Sequence, residues 1–342
     1  MISPPFLKAG DKVAIVATAR KVSPAEMEPA ILKFREWGLQ VITGPHLFGA
    51  DNQYSGTDED RLSDLQMMLD DPSIKAIVAA RGGYGTVRIV DNLDFTAFCR
   101  NPKWIVGYSD ITVLHSHIHT QYGVETLHAT MPINFPTDGS DNEATLSLKK
   151  ALFGEPLQYE IKPTEYSVKG SSQGILVGGN LSILYALNGT PSDLDTQGKI
   201  LFLEDLDEYL YHIDRMMLNL RRSGKLSGLA GLVIGGMSKM NDNAVPFGKT
   251  AEEIIKEAVE GYGYPVCFEF PAGHIDNNCA LILGRNVELT VDEKGSGLIF
   301  RESTNKNGSF RLLQRIIKPA LVFLAFFILI YLLYTFLIPA IR

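Results

Sequence analysis

The chain has 342 residues, 45% of them hydrophobic, which is enough to fill the cores of two compact domains. Lys and Arg number 32 against 39 Asp and Glu, a formal net charge of −7, and this argues against a broad nucleic-acid surface, which needs excess base. The three cysteines, Cys99, Cys267 and Cys279, show no CxxC spacing, which speaks against a disulfide framework and for a reducing compartment.

Taken in chain order, Met1 to Asp11 lacks the charged and apolar regions of a signal peptide, so the globular part is expected to stay where it is made. Lys12 to Ala17 reads as a strand. Ser23-Pro24 opens a helix ending at Trp37-Gly38, with serine as cap and proline in the first turn. Leu39 to Thr43 is a second strand, Thr57 caps a helix running to Leu69, and Ile74 to Ala80 is a third strand followed by the turn Arg81-Gly-Gly-Tyr-Gly85. A short helical region from Asp94 to Cys99 leads into the buried-looking strand Trp104 to Gly107. That strand breaks at Gly107-Tyr-Ser-Asp110, and helical spacing resumes from Ile111 to Tyr122. Alternating strands and helices predict a parallel sheet covered on both faces, with functional loops at the carboxyl ends of its strands. Ser109 falls at such an end, in a sharp strand-to-helix turn that can raise a nucleophile and leave the next backbone N–H for an oxyanion. A plain connecting turn is the alternative at this point.

Residues 136–172 are rich in Pro and Gly, with one helical segment at Glu143 to Phe153, and read as a connection between domains. From 173 to 301, strands are expected at Gly174–Val177, Lys199–Leu203, Gly231–Gly235, Pro265–Phe268, Ala280–Leu283 and Val287–Val291, with helices at Leu210–Arg222 and Thr250–Val259. This pattern predicts a β-rich α+β domain. Residues 302–318 form a polar and basic linker, and 319–341 contain no charge. Ala320 to Ile338 would rise about 28 Å as a helix, close to the hydrocarbon thickness of a bilayer, which predicts a C-terminal transmembrane anchor. Arg311, Arg315 and Lys318 before it, against Arg342 after it, predict a tail-anchored chain on the cytoplasmic face of the cell membrane.

A serine nucleophile needs a base, and the base an orienting carboxylate. Of the seven histidines, His274 stands out, because Phe270-Pro-Ala-Gly-His-Ile-Asp-Asn-Asn278 is a loop that fixes backbone geometry after a strand. His115 and His119 have the i, i+4 spacing of a metal pair but no third ligand at useful spacing, so no metal is expected. Glu204 ends the apolar strand Lys199-Ile-Leu-Phe-Leu-Glu-Asp-Leu206 and suits the orienting role. Asp205, Asp207 and Glu208 keep open the reading of an exposed acidic turn.

Together, Arg81-Gly-Gly-Tyr-Gly85, Gly107-Tyr-Ser-Asp110, Gly178-Gly-Asn-Leu181, Leu203-Glu-Asp205, His212-Ile-Asp-Arg215 and Ala272-Gly-His274 resemble the LD-carboxypeptidases, serine peptidases that also include the microcin C self-immunity enzymes. The resemblance runs collinearly from about Ile2 to Arg301. It implies a flavodoxin-like N-terminal domain over 1–135, a smaller β-rich domain over 173–301, and a triad of Ser109, His274 and Glu204 assembled between them. It further implies an oxyanion hole from the backbone N–H groups of Gly83 and Asp110, a homodimer, no cofactor, and a murein peptide as substrate. Arg81 and Asn180 stand as substrate contacts, with loop fixing as their alternative role. The expected activity is release of terminal D-alanine from murein tetrapeptides. The alternatives are a microcin-type immunity peptidase, disfavoured because Trp37 and Trp104 both lie outside the linker, and a non-catalytic membrane-tethered binding module.

Overall fold

The computed structural model describes residues 1–302. The first part of the chain forms strands β1 (Lys12–Val16), β2 (Gln40–Thr43), β3 (Ile74–Ala79), β4 (Trp104–Gly107) and β5 (Thr126–His128), with helices α1 (Pro24–Glu36), α2 (Asp58–Asp70), α3 (Thr96–Arg100) and α4 (Thr112–Gln121). The helices start where the sequence offers caps: the Ser23 hydroxyl accepts from the Glu26 N–H, and the Thr57 hydroxyl from the Asp60 N–H, each answered by the acidic side chain. The five strands are parallel in the order β2-β1-β3-β4-β5. Alternation then feeds two cores. Val13, Ile15, Val78 and Val106 pack with Phe34 of α1, whereas Ala14, Val16, Ile77 and Ile105 pack with Leu65 of α2 and Ile118 of α4.

The chain continues through α5 (Glu143–Phe153), β6 (Gln158–Ile161), β7 (Gly170–Asn180), α6 (Leu181–Leu187), β8 (Ile200–Leu206), α7 (Leu210–Arg222), β9 (Gly231–Ser238), α8 (Ala251–Ala258), β10 (Val266–Cys267), β11 (Leu281–Leu283), β12 (Asn286–Asp292) and β13 (Gly295–Phe300). Seven of these strands make a second sheet in the order β10-β9-β8-β7-β12-β13-β6. Its β10-β9-β8-β7 half is parallel and its β7-β12-β13-β6 half antiparallel, and the long β7 serves both, pairing with β12 through its first half and with β8 through its second. On α7, Ile213, Met216, Met217 and Leu220 recur at helical spacing and bury one face against this sheet.

Three elements depart from the sequence expectation. β6 lies inside the stretch read as a connection, because four residues between prolines carry too little pattern to register. β13 begins Gly-Ser-Gly, which reads as turn, yet it pairs with β12 over six positions. β11, expected in the second domain, is hydrogen-bonded antiparallel to β5 and closes the edge of the first sheet.

The expected fold class also needs correction. The transmembrane helix assigned to 319–341 lies outside the described residues, and among the described residues no helix is long and apolar enough to cross a membrane. The longest, α1, α2 and α7, have 13 residues each, a rise of about 20 Å against roughly 30 Å of hydrocarbon. The tail-anchored placement on the cytoplasmic face is withdrawn with it. The fold is a two-sheet α/β body.

Inside that body α4 buries His115 and His119. The Nε2–H of His115 donates to the Gly107 carbonyl at 2.9 Å, and His119 meets the Thr126 hydroxyl at 3.0 Å. Burial pushes His115 down to about 4 and His119 well below the usual histidine range. His115 is neutral when folded but protonates in the unfolded chain below about pH 6.5, so its share of stability is present above that pH and lost as pH falls toward 4. His115→Leu therefore destabilises at pH 8, and the cost shrinks by about 2 kcal/mol at pH 5, measured by denaturant titration at both pH values.

Candidate active site

Ser109 opens the 3-10 turn between β4 and α4 with φ of 63°, a left-handed conformation that a non-glycine residue adopts at a cost of about 1–3 kcal/mol. The surroundings force it. A Cβ on Gly82 would lie 2.9 Å from the Ser109 Cβ, so the turn after β3 closes on the serine only with glycine there. The Ile111 N–H donates to the Tyr108 carbonyl and His115 to that of Gly107, which fixes both sides of the corner.

His274 comes from the loop after β10. Its Nε2 is 3.1 Å from the Ser109 Oγ, and its Nδ1–H donates to the Glu204 Oε2 at 2.6 Å. The backbone N–H of His274 donates to the same oxygen at 3.1 Å. Glu204, at the end of β8, is fully buried, and its Oε1 has no partner among the described residues. The loop is held by the Ser238 hydroxyl donating to the His274 carbonyl and by the Gly273 N–H donating to Asn278. Gly273 has φ of +107°, and a Cβ there would come within 2.7 Å of the Glu204 Cβ, so glycine is what lets the histidine loop approach the acid. The Tyr108 ring stands 4.9 Å from that of His274 and limits its swing.

Burial works against the charged imidazolium of His274, but the Glu204 hydrogen bond and the fields of Glu204 and Asp205 outweigh it, and its pKa is raised. Asp205 is pushed up to about 7 by burial and by the charge of Glu204, although it accepts from the Asn180 amide and the Ser182 and Leu206 N–H groups. The acidic-turn alternative thus applies to Asp207, which is exposed, and not to Glu204 or Asp205.

The Asp110 N–H lies in the first turn of its short helical segment, where such groups have no intrasegment acceptor. Its side chain performs a second task. Buried Asp110 accepts from the Thr86 N–H at 2.9 Å, and the Thr86 hydroxyl meets that of Thr18 at 2.8 Å. The glycine turn carrying Gly83 is thereby tied to the serine corner and to the end of β1. Burial raises the Asp110 carboxyl above the usual carboxylate range.

These groups border a cleft of about 470 Å³ between the carboxyl ends of the two sheets' parallel strands. Arg81, Gly83, Ser109, Asp110, Asn180 and His274 all line it. Asn180 is largely committed internally: it caps α6 through the Ile183 N–H, and its amide donates to Asp205 at 2.9 Å. The remaining histidines lie elsewhere, His46 on Asp64, His117 on Ser192, His212 on Glu208, and His128 buried beside Tyr108 and Phe202. Sequence reasoning missed Arg20, which lines the cleft and lies just past the end of β1, where the strand order reverses between β1 and β3. That position was its one available signal.

Family models described as the LD-carboxypeptidase N-terminal and C-terminal domains match residues 13–129 and 173–289. The chain is 37% identical over 301 residues to the probable murein peptide carboxypeptidase of Bacillus subtilis (strain 168), covering 85% of this chain and 92% of that one. The muramoyltetrapeptide carboxypeptidase of Oxalobacter formigenes superposes with a TM-score of 0.77 at 25% identity, over 86% of this chain and 100% of that one. The microcin C7 self-immunity protein shares the fold, with a TM-score of 0.77 at 19% identity over 88% of this chain and 99% of that one. With both halves matched and a relative this similar over most of both lengths, the chain belongs to the LD-carboxypeptidase family, and it is a serine carboxypeptidase.

Proposed function

We propose that the protein hydrolyses the L–D peptide bond before the terminal D-alanine of murein tetrapeptides, with Ser109 as nucleophile, His274 as general base and Glu204 as the orienting carboxylate. The observation that carries this reading is the unbroken hydrogen-bond line from the Ser109 Oγ through both nitrogens of His274 to the buried Glu204, opening on a cleft. The murein peptide substrate named for the Bacillus and Oxalobacter relatives supports the choice of peptide.

In this mechanism the His274 Nε2 takes the Ser109 proton as Oγ attacks the scissile carbonyl carbon. Glu204, accepting from Nδ1–H, keeps the Nε2 lone pair toward serine and stabilises the imidazolium that forms. The N–H groups of Gly83 and Asp110 bind the oxyanion; loss of one such donor costs roughly 10²–10³ in turnover. The imidazolium then protonates the departing amine of D-alanine. Water, deprotonated by His274, cleaves the acyl-enzyme and restores Ser109. Arg81 serves as a substrate contact, while Asn180 acts through Asp205. Trp37 and Trp104 are both buried in the core of the first sheet, so neither offers a ring to a nucleotide in the cleft, and this favours the peptide over an aminoacyl-nucleotide.

Mass analysis of products from a murein tetrapeptide tests the reading: D-alanine and tripeptide are expected, and cleavage of a processed microcin alone would sink it. Ser109→Ala is expected to lower kcat by at least about 10⁴-fold while folding normally. The base must be neutral to act, so kcat/KM should rise with pH through a limb above the ordinary histidine value of about 6.5. Glu204→Gln removes the charge of Glu204 and its charged hydrogen bond, the two largest causes that raise His274, and leaves the burial that lowers it, with only the field of Asp205 opposing. It should lose roughly 10³-fold or more in kcat and move that limb to lower pH, read from pH–rate profiles.

A further inference from the structure

The Arg20 and Arg81 side chains reach the cleft from the loops after β1 and β3, and among the described residues the one carboxylate whose titration registers either of them is Glu26, in the field of Arg81. The wall contributed by the second sheet carries Asp205, Asp207 and Glu208. The cleft is therefore divided by charge, cationic on the side of Gly83 and acidic at the end of β8.

We propose that Arg20 grips the terminal carboxylate of the substrate, seconded by Arg81, and that this contact restricts the enzyme to the last residue of a peptide. The inference rests on Ser109 as nucleophile with its oxyanion at Gly83. Arg20 lies directly over that glycine: a Cβ on Gly83 would come within 2.7 Å of the Arg20 Cγ and Cδ and 2.9 Å of its Nε. In a peptide with a free carboxyl terminus, the carboxylate carbon is three bonds beyond the scissile carbon, about 3–4 Å away. A scissile oxygen held at the Gly83 N–H therefore brings the terminal carboxylate within reach of a guanidinium spreading from above Gly83. The same carboxylate turned toward Asp205, Asp207 and Glu208 meets like charge, so the leaving residue faces the arginines and the acyl portion faces β8.

The arginine is prepared for this task. Its backbone pairs with Tyr54, and the neighbouring residues are fixed by the Ser55 N–H on the Ala19 carbonyl, the Lys21 N–H on the Gln53 carbonyl, and Arg61 on the Thr18 carbonyl at 2.6 Å. A planar guanidinium accepts a carboxylate in two parallel hydrogen bonds, which a peptide or amide carbonyl does not offer. An internal peptide bond presents no such charge at this distance, so an interior cleavage site forfeits the contact.

The test compares an N-acetylated tetrapeptide ending in L-Lys–D-Ala with its C-terminal carboxamide, on wild type, Arg20→Gln and Arg20→Lys. Wild type should favour the free acid by at least about 10-fold in kcat/KM. Arg20→Gln should lose roughly 10- to 100-fold on the acid, chiefly through KM, and bring the acid-to-amide ratio toward one, the range expected for a charged hydrogen bond. Arg20→Lys should keep an intermediate ratio, and both variants should label at Ser109 with an active-site serine reagent at the wild-type rate. An Arg20→Gln enzyme that keeps the wild-type ratio overturns the assignment. So does one that labels slowly and loses acid and amide alike, which marks a packing role over Gly83. Failure of wild type to cleave either peptide removes the underlying murein reading instead.

Discussion

The candidate active site hangs on one contact of 3.1 Å, between the Ser109 Oγ on the first sheet and the His274 Nε2 from the second. A hydrogen bond weakens steeply with small errors of distance and angle, so two separately built sheets have to dock to within a fraction of an ångström. Three devices serve that end. Arg285, between β11 and β12, makes a buried bidentate pair with Glu125 beside β5, at 2.9 and 2.6 Å. β11 itself is a strand of the first sheet. At the cleft, the Asn180 N–H at the end of β7 donates to the Thr112 hydroxyl at the start of α4.

The Arg285–Glu125 pair illustrates how such docking is specified. Burying two charges costs several kcal/mol per ion, and their attraction roughly offsets this, so the pair adds little net stability. Breaking it is different, because one desolvated charge would remain without a partner. The pair thus penalises wrong registers far more than it favours the right one. β11 acts in the same sense: a strand that must pair antiparallel with β5 holds the chain between β10 and β12, and therefore the His274 loop, against the first sheet.

Much of this was legible in the residues. Caps at Ser23 and Thr57 and the apolar runs of β1 and β3 are local signals, and the elements appear where those signals lie. Ser109, His274 and Glu204 were each readable as a residue at the end of a strand or in a constrained loop. Their meeting was implied by the family resemblance and by no local signal, because nothing local in Glu204 or His274 encodes the return of β11 to the first sheet. Arg20 was illegible for another reason. An arginine after a strand looks like any surface cation, and its place where the strand order reverses and its position over Gly83 appear only once the sheet is assembled. The transmembrane segment shows the opposite risk, since apolar composition over 319–341 suggested a span for which the described fold supplies no counterpart.

The adjacent acids at the end of β8 set a limit on how simply the site can titrate. Glu204 receives two N–H donors from His274, and Asp205 receives three from Asn180, Ser182 and Leu206, yet burial beside Glu204 still pushes Asp205 up to about 7. Asp205 therefore gains or loses its charge in the same range as a histidine. Since its negative field is one of the causes that raise His274, protonating Asp205 makes His274 easier to deprotonate, and deprotonating it does the reverse. Protons are thus exchanged by the pair and not by either residue alone, and the acid limb proposed for the activity is a property of the cluster. Asn180 gains its importance here. By donating to Asp205 it favours the charged form, and through that charge it bears on His274.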